Sequence, residues 1–338
     1  MIYDLFFILI STSSFVGLML FARLYKLHKK QSVPKQFLNL LLTCIASFFV
    51  FWNSLLLFTP SGNSLHEILR LPRHFWMLNH DLAQIKHERI GYGNHSNQYC
   101  HIIHPSKQKK VRNKIVFFIH GGGWRIGGPH QHHYLAKLLS ELGYTIVLPA
   151  YRLTPQYSYP HINQDISSAL QTSLNYLDSL HQQKQDLIIG GVSAGANLAA
   201  LLAFDEPRWD SIDFSRERLK GFFSLAGVLN LDLVSSNAAL QSYAGPKDGS
   251  FFQKANPINY IDTSDHFKLL CIHGNKDGLC GLVNAQSFYQ KMKRTHPTSS
   301  TLYVLDQGTH LDLGAGWYYH TASERGQKKV LLDWIQLL

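Results

Sequence analysis

Five residues, Gly191-Val192-Ser193-Ala194-Gly195, carry the sharpest chemical signal in the sequence. A serine spaced between two glycines, on a turn from strand to helix, is the pattern of a strained nucleophile elbow. The turn lifts the hydroxyl off the sheet, and side chains at Gly191 or Gly195 would collide there. The serine would also sit at the positive end of the following helix. A second signal, His120-Gly121-Gly122-Gly123-Trp124, directly follows the apolar run 115–119. Consecutive glycines let backbone amides approach a reacting group with no Cβ in the way. One amide aimed at a developing oxyanion is worth roughly 2.7–4 kcal/mol. No Gly-Lys-Ser/Thr ending follows, which argues against a phosphate loop.

A nucleophilic serine needs a base, and the base needs an orienting acid. On a chain with this elbow the acid comes next and the histidine last. Residues 269–272 read as a strand leading into His273-Gly274-Asn275-Lys276-Asp277. Residues 302–305 read as another, leading into Asp306-Gln307-Gly308-Thr309-His310. Asp277 and His310 would then lie just past the carboxyl ends of their strands, where open α/β sheets bind ligands. Asp306 and Asp312 are rival acids, but their closeness to His310 in sequence suits capping of its loop. The expected chemistry is acyl transfer by Ser193, His310 and Asp277, with no metal and no organic cofactor.

From about residue 88 to residue 338 the chain resembles an α/β-hydrolase of the hormone-sensitive-lipase and carboxylesterase-like group. The matching elements are His-Gly-Gly-Gly at 120–123, Tyr151-Arg152-Leu153-Thr154-Pro155 and the elbow at 191–195. Asn256-Pro257-Ile258, the stretch His273 to Asp277 and the late His310 complete the set. The resemblance implies that the amides of Gly122, Gly123 and Ala194 receive the oxyanion. It gives His120, Gly121, Trp124, Gly191 and Gly195 supporting places in the motifs, and a small-molecule or lipid ester as substrate. Val192 stands where lipase-like members usually carry Asp. Gly-Gly-x-Trp at 121–124 also resembles arylformamidases, and two membrane segments before a hydrolase resemble isoprenylcysteine methylesterases. An acyltransferase or a catalytically dead binding protein can share the fold.

The elements that must position these groups alternate between two periods. Residues 115–119, 145–148, 187–189, 222–225, 269–272 and 302–305 are short apolar runs of buried-strand type. Leu135, Leu138, Leu139 and Leu142 recur at helical spacing, with Gly143 at the stop. Ile162, Ile166, Leu170, Leu174 and Leu177 mark one face of a long helix. Residues 194–203 form an Ala/Leu helix, and Val330, Leu331, Trp334, Ile335 and Leu338 give the last helix an apolar side. This alternation predicts an α/β-hydrolase domain over 86–338, a mostly parallel central sheet with helices on both faces. The irregular segment 229–265 is expected to be a lid or acyl-pocket wall, and 205–220 a lid or a surface insertion.

Charge separates the front of the chain from the rest. Of 338 residues, 45% are hydrophobic and 16% charged, which excludes disorder, collagen and a small disulfide scaffold. A net charge of +10 would suggest nucleic acid. Residues 1–114, however, hold 14 Lys/Arg against 4 Asp/Glu, whereas residues 115–338 hold 18 of each. The neutral catalytic part excludes a nucleic-acid partner. Residues 5–22 are uncharged, as are residues 36–66, whose apolar part is 37–58. Asn39, Thr43, Ser47 and Asn53 interrupt the second run, and Arg23, Lys26, Lys29, Lys30 and Lys35 separate the two. Such helices would span about 27 and 33 Å at ~1.5 Å per residue, against a hydrocarbon core of ~30 Å. The expectation is a transmembrane hairpin over 1–60 with a cytoplasmic basic loop. A juxtamembrane helix or linker over 61–85 would either face headgroups with Arg70, Arg73, Phe75 and Trp76 or pack its apolar side on the next domain as an ordinary surface helix. The catalytic domain would lie on the non-cytoplasmic side, with membrane lipids as partners and the oligomeric state open.

Some residues receive quieter readings. His130, His132 and His133 cluster, and are expected on a surface loop near the active-site mouth. The cysteines are Cys44, Cys100, Cys271 and Cys280, with no CxxC. Cys44 and Cys271 read as packing residues, and Cys100 and Cys280 could pair in an oxidising compartment. Tyr151, Arg152 and Asp165 are expected to make scaffold hydrogen bonds.

Overall fold

The protein's structure, a computed structural model, describes residues 35–80, 85–106, 111–181, 184–209, 212, 214–316 and 326–338. Each apolar run predicted as a strand belongs to one sheet. Its strands are β1 (Glu88–Gly91), β2 (Tyr99–Ile103), β3 (Lys114–Ile119), β4 (Thr145–Pro149), β5 (Asp186–Val192), β6 (Leu219–Leu225), β7 (Lys268–Gly274) and β8 (Ser300–Leu305). The order across the sheet is β1-β2-β4-β3-β5-β6-β7-β8. β2 pairs antiparallel with β1 and with β4, and the remaining pairs are parallel. This is an α/β-hydrolase fold.

The parallel strands are apolar at successive residues because both of their faces are covered. Ile115, Phe117 and Ile119 point into one buried cluster, and Val116 and Phe118 into the other, as the period-two pleat requires. Eight helices are named here: α1 (Lys35–Phe58), α2 (Ser64–His80), α3 (His133–Glu141), α4 (Tyr159–His181), α5 (Ala194–Phe204), α6 (Ala238–Ala244), α7 (Val283–Thr295) and α8 (Gln327–Gln336). Residues of α4, α5 and α7 fill the first cluster, and residues of α3 and α8 fill the second. Helix α5 is buried along its whole length, which is why its sequence is apolar all round rather than striped. Its one amide, Asn197, donates to the carbonyls of Val228 and Ala255 at 3.1 Å each.

Three expectations need correction. The first predicted span, residues 5–22, lies outside the described residues, as do Arg23, Lys26, Lys29 and Lys30 of the basic loop. The second, 37–58, falls within α1. Among the described residues, no helix is long and apolar enough to cross a membrane. The predicted membrane localisation, with the catalytic domain on its non-cytoplasmic side, is therefore overturned, and the hairpin has no support among the described residues. One physical reason is that the end of α1 packs on protein. Residues 52–56 are half-buried, and the Trp52 indole N–H donates to the Leu69 carbonyl of α2 at 3.0 Å. The histidine cluster is also not on a surface loop. His132 and His133 are buried, because the turn Pro129–His132 tucks under the sheet and His132 packs edge-on to Phe118 at 5.0 Å. Finally, all four cysteines are free, so Cys100 and Cys280 do not pair.

Candidate active site

Ser193 stands between β5 and α5 with φ 54° and ψ −123°, a left-handed conformation that costs a non-glycine residue energy. Close backbone contacts hold it there. A Cβ on Gly191 would lie 2.4 Å from the Gly195 carbonyl oxygen. A Cβ on Gly195 would lie 2.2 Å from the Ile119 carbonyl oxygen and 2.3 Å from that of His120. The Ser193 amide donates to Leu225 of β6 at 2.9 Å. The two glycines are thus required by the meeting of β3, β5 and α5, and not only by the turn itself.

The glycine loop after β3 lies directly against this turn. A Cβ on Gly121 would come within 2.8 Å of the Val192 carbonyl and 3.1 Å of Ser193 Cβ. Gly122, Gly123 and Trp124 then take positive φ values of 112°, 60° and 58°. His120 stacks on Tyr151 at 4.3 Å, and the Tyr151 hydroxyl donates to the His120 carbonyl at 3.0 Å. Asp165, buried, takes a bidentate ion pair from Arg152 and a further hydrogen bond from Gln98 at 2.8 Å. On the outer side, Trp124 stacks on Tyr243 of α6 at 4.1 Å and 4°. The Tyr243 hydroxyl donates to Asn197 of α5 at 2.9 Å. The segment 229–265 therefore packs on the glycine loop as a wall.

His310 and Asp277 reach Ser193 from the loops after β8 and β7. His310 Nε2 is 2.9 Å from Ser193 Oγ, and His310 Nδ1 is 2.8 Å from Asp277 Oδ2. The carboxylate only accepts, so Nδ1 carries the proton and Nε2 is left to accept from the serine hydroxyl. Asp277 Oδ1 also accepts the amides of Leu279 and Cys280 at 3.0 and 2.8 Å. Burial opposes the charge of Asp277, but the His310 charge and hydrogen bonds from His273 and His310 outweigh it. They hold the carboxyl well below its usual range. His310 is also buried, which favours its neutral form, yet the Asp277 charge and hydrogen bond, with the Glu67 charge, raise its pKa. Such a chain of hydroxyl, imidazole and carboxylate can move one proton from serine to histidine while the acid stabilises the imidazolium. Asp306 instead accepts from Asn275 at 2.8 Å, and Asp312 from the Thr309 amide at 3.0 Å.

Three residues at the site were given no role in it from sequence. Glu67 of α2 is fully buried. Its Oε1 accepts the His310 amide at 2.7 Å and the Gly278 amide at 3.4 Å, and its Oε2 accepts the Leu311 amide at 3.4 Å. One carboxylate thus grips the histidine loop and the aspartate loop together. Arg70, one turn on, donates to Thr309 Oγ1 at 2.6 Å and to Asp312 Oδ1 at 2.8 Å. His273 Nε2 lies 2.7 Å from the Cys280 carbonyl and 3.0 Å from Asp277 Oδ2, so it donates to both acceptors. The four-residue spacing of His273 and Asp277 is a readable sign of that contact. For Glu67, an acidic residue in the first turn of an otherwise basic helix was the only signal.

A family model described as BD-FAE matches residues 100–292. The chain is 32% identical over 136 residues to arylacetamide deacetylase of Oryctolagus cuniculus, covering 39% of this chain and 34% of that protein. It is 22% identical over 242 residues to a protein of Oryza sativa subsp. japonica named a probable isoprenylcysteine alpha-carbonyl methylesterase, covering 66% and 56%. The chain therefore spans about a third to just over half the length of these relatives. Among solved structures, esterase B from Lactobacillus Rhamnosis superposes with a TM-score of 0.62 at 18% identity, over 79% of this chain and 92% of that one. That likeness concerns the fold.

Proposed function

The chain belongs to the BD-FAE family, an α/β hydrolase of the hormone-sensitive-lipase and carboxylesterase-like group, and from that premise we propose that it cleaves carboxylic esters with Ser193 as nucleophile. The observation that supports this reading is the continuous chain Ser193 Oγ, His310 Nε2, His310 Nδ1, Asp277 Oδ2, at 2.9 and 2.8 Å. His310 takes the serine proton as Oγ attacks the carbonyl carbon. Asp277 fixes the tautomer and stabilises the imidazolium. The oxyanion turns to the amides of Gly122, Gly123 and Ala194. Collapse expels the alcohol with the proton from His310 and leaves an acyl-enzyme. His310 then activates water, which releases the acid.

The buried stack of Trp124 on Tyr243 backs the glycine loop and holds its amides in place for the oxyanion. A fluorophosphonate probe tests the nucleophile. Wild-type protein is expected to label covalently and Ser193→Ala not to label; equal labelling of both would end this reading. The isoprenylcysteine methylesterase reading is the second one to hold, since that relative aligns over 66% of the chain. Turnover of p-nitrophenyl esters, N-formylkynurenine and a prenylcysteine methyl ester, compared at equal concentration, separates the general esterase from the arylformamidase and the methylesterase.

A further inference from the structure

Another cluster of ligating side chains lies at the antiparallel edge of the sheet. His87 immediately precedes β1, His101 is at the centre of β2, and His133 opens α3. One ligating nitrogen from each ring lies within 4.8 Å of the other two. His101 Nδ1 and His133 Nε2 face each other at 2.9 Å. The His87 ring lies 4.1 Å from that of His101 and 4.8 Å from that of His133. His101 and His133 are 8% and 6% exposed, and His87 is open to solvent.

Two facing imidazole nitrogens hold one proton between them, or one cation. Both rings are buried, which favours the neutral imidazole. Neutral lone pairs are what a metal ligand must offer. His87 Nδ1 donates to the Ile85 carbonyl at 3.0 Å. That bond fixes the tautomer and leaves Nε2 as the ligating atom, the usual arrangement behind a metal-bound histidine. Arg89, stacked on Tyr99 at 3.9 Å, and His130 are the other basic groups facing the cluster. The three ligands include no carboxylate. An all-imidazole set disfavours Mg²⁺ and Ca²⁺ and suits zinc-like ions.

We propose that His87, His101 and His133 bind one zinc-class divalent ion, with water completing a tetrahedral set. Ligand nitrogens on one zinc stand about 3.3 Å apart for Zn–N distances of about 2.0–2.1 Å. The buried pair opens slightly to reach this, and the exposed His87 swings inward. The bound ion ties β1 and β2 to α3, the helix that follows the glycine loop 121–123. Its role is to brace that edge, and it takes no part in acyl transfer.

The test uses the full chain without an affinity tag, stripped with EDTA and dialysed, and titrated with ZnCl₂ by calorimetry. One ion per chain is expected, with a rise in melting temperature on saturation. Cobalt(II) should give the intense visible bands of a tetrahedral site. His87→Ala, at an exposed position, should weaken zinc binding roughly tenfold or more, and His101→Gln should remove it. Fluorophosphonate labelling of Ser193 is read on the same samples, so failure of the esterase reading and failure of the zinc site are distinguishable. Absence of zinc binding to wild type overturns the proposal. So does a His87→Ala protein that binds as tightly as wild type, since the ion would then sit on other histidines.

Discussion

The serine half of the site and its acid–base half are held in different ways. Ser193 is fixed by backbone meeting backbone, where Gly191, Gly195 and Gly121 let β3, β5 and α5 come closer than any side chain permits. Asp277 and His310 ride on loops, and those loops are tied from outside the sheet by Glu67 and Arg70 of α2. The first arrangement is local in the fold and rigid. The second depends on contacts between residues 211 to 244 positions apart in sequence. The serine half should therefore fail by unfolding, and the acid–base half by misplacement.

The largest effects should come from the serine half. Ser193→Ala should lower kcat on p-nitrophenyl esters by roughly 10⁴–10⁶-fold while leaving the thermal melt near that of wild type. Gly195→Ala should do the opposite in order. Its new Cβ would meet two carbonyl oxygens at 2.2 and 2.3 Å, so stability falls first, by roughly 1–3 kcal/mol or more. A Gly195→Ala protein that melts like wild type would break the distinction on this side.

The acid–base half should respond to α2. Glu67→Ala leaves the His310 amide without its 2.7 Å acceptor and frees the loops from each other. Displacement of a catalytic group by about 1 Å can cost roughly 10²-fold in rate, and a loss of that order in kcat is expected, with KM little changed. Glu67→Gln keeps an acceptor oxygen and should recover most of it. Arg70→Met should matter less. Its ion pair with Asp312 is partly exposed, at 28% and 16%, and is worth about 1 kcal/mol or less. Equal kcat in wild type and Glu67→Ala would show that the loops hold themselves.

This contrast also explains what could be read in advance. Glycines at 191 and 195 announce themselves by their spacing about Ser193, although the carbonyls that exclude a Cβ at Gly195 belong to Ile119 and His120, and the parallel strands do so because burial on both faces leaves continuous apolar runs. The β1–β2 pair carries no such mark. Glu88–Gly91 is mostly exposed, and Tyr99–Ile103 has His101 at its centre. The segment containing Arg70 was open between facing lipid headgroups and packing on the next domain, and Glu67 drew no reading, because nothing within residues 64–80 records partners more than 200 positions away. Nor does the apolar run 37–58 record that the end of its helix would rest on α2 through Trp52 and Leu69, and the spanning reading was overturned.

The smallest expected effect is the most discriminating, because one charge moves two observables together. In the proposed mechanism only neutral His310 accepts the serine proton, so kcat/KM should rise with pH through the His310 pKa. Burial lowers that pKa, but the Asp277 charge and hydrogen bond and the Glu67 charge outweigh it, and the net value lies above the ordinary 6.5. The acid limb of the wild-type profile is therefore expected above pH 6.5. Stability runs the other way. A raised folded-state pKa favours the protonated native form, so its contribution is full below the unfolded value and is lost as pH rises through the folded one. Glu67→Gln removes a charge that raises the His310 pKa and retains the hydrogen-bond acceptor. Both the kinetic limb and the pH at which this stability is lost should then move to lower pH. A kinetic limb that shifts while the melting profile stays put would assign the titration to a group other than His310. Both profiles unchanged would mean that α2 holds the loop by geometry alone.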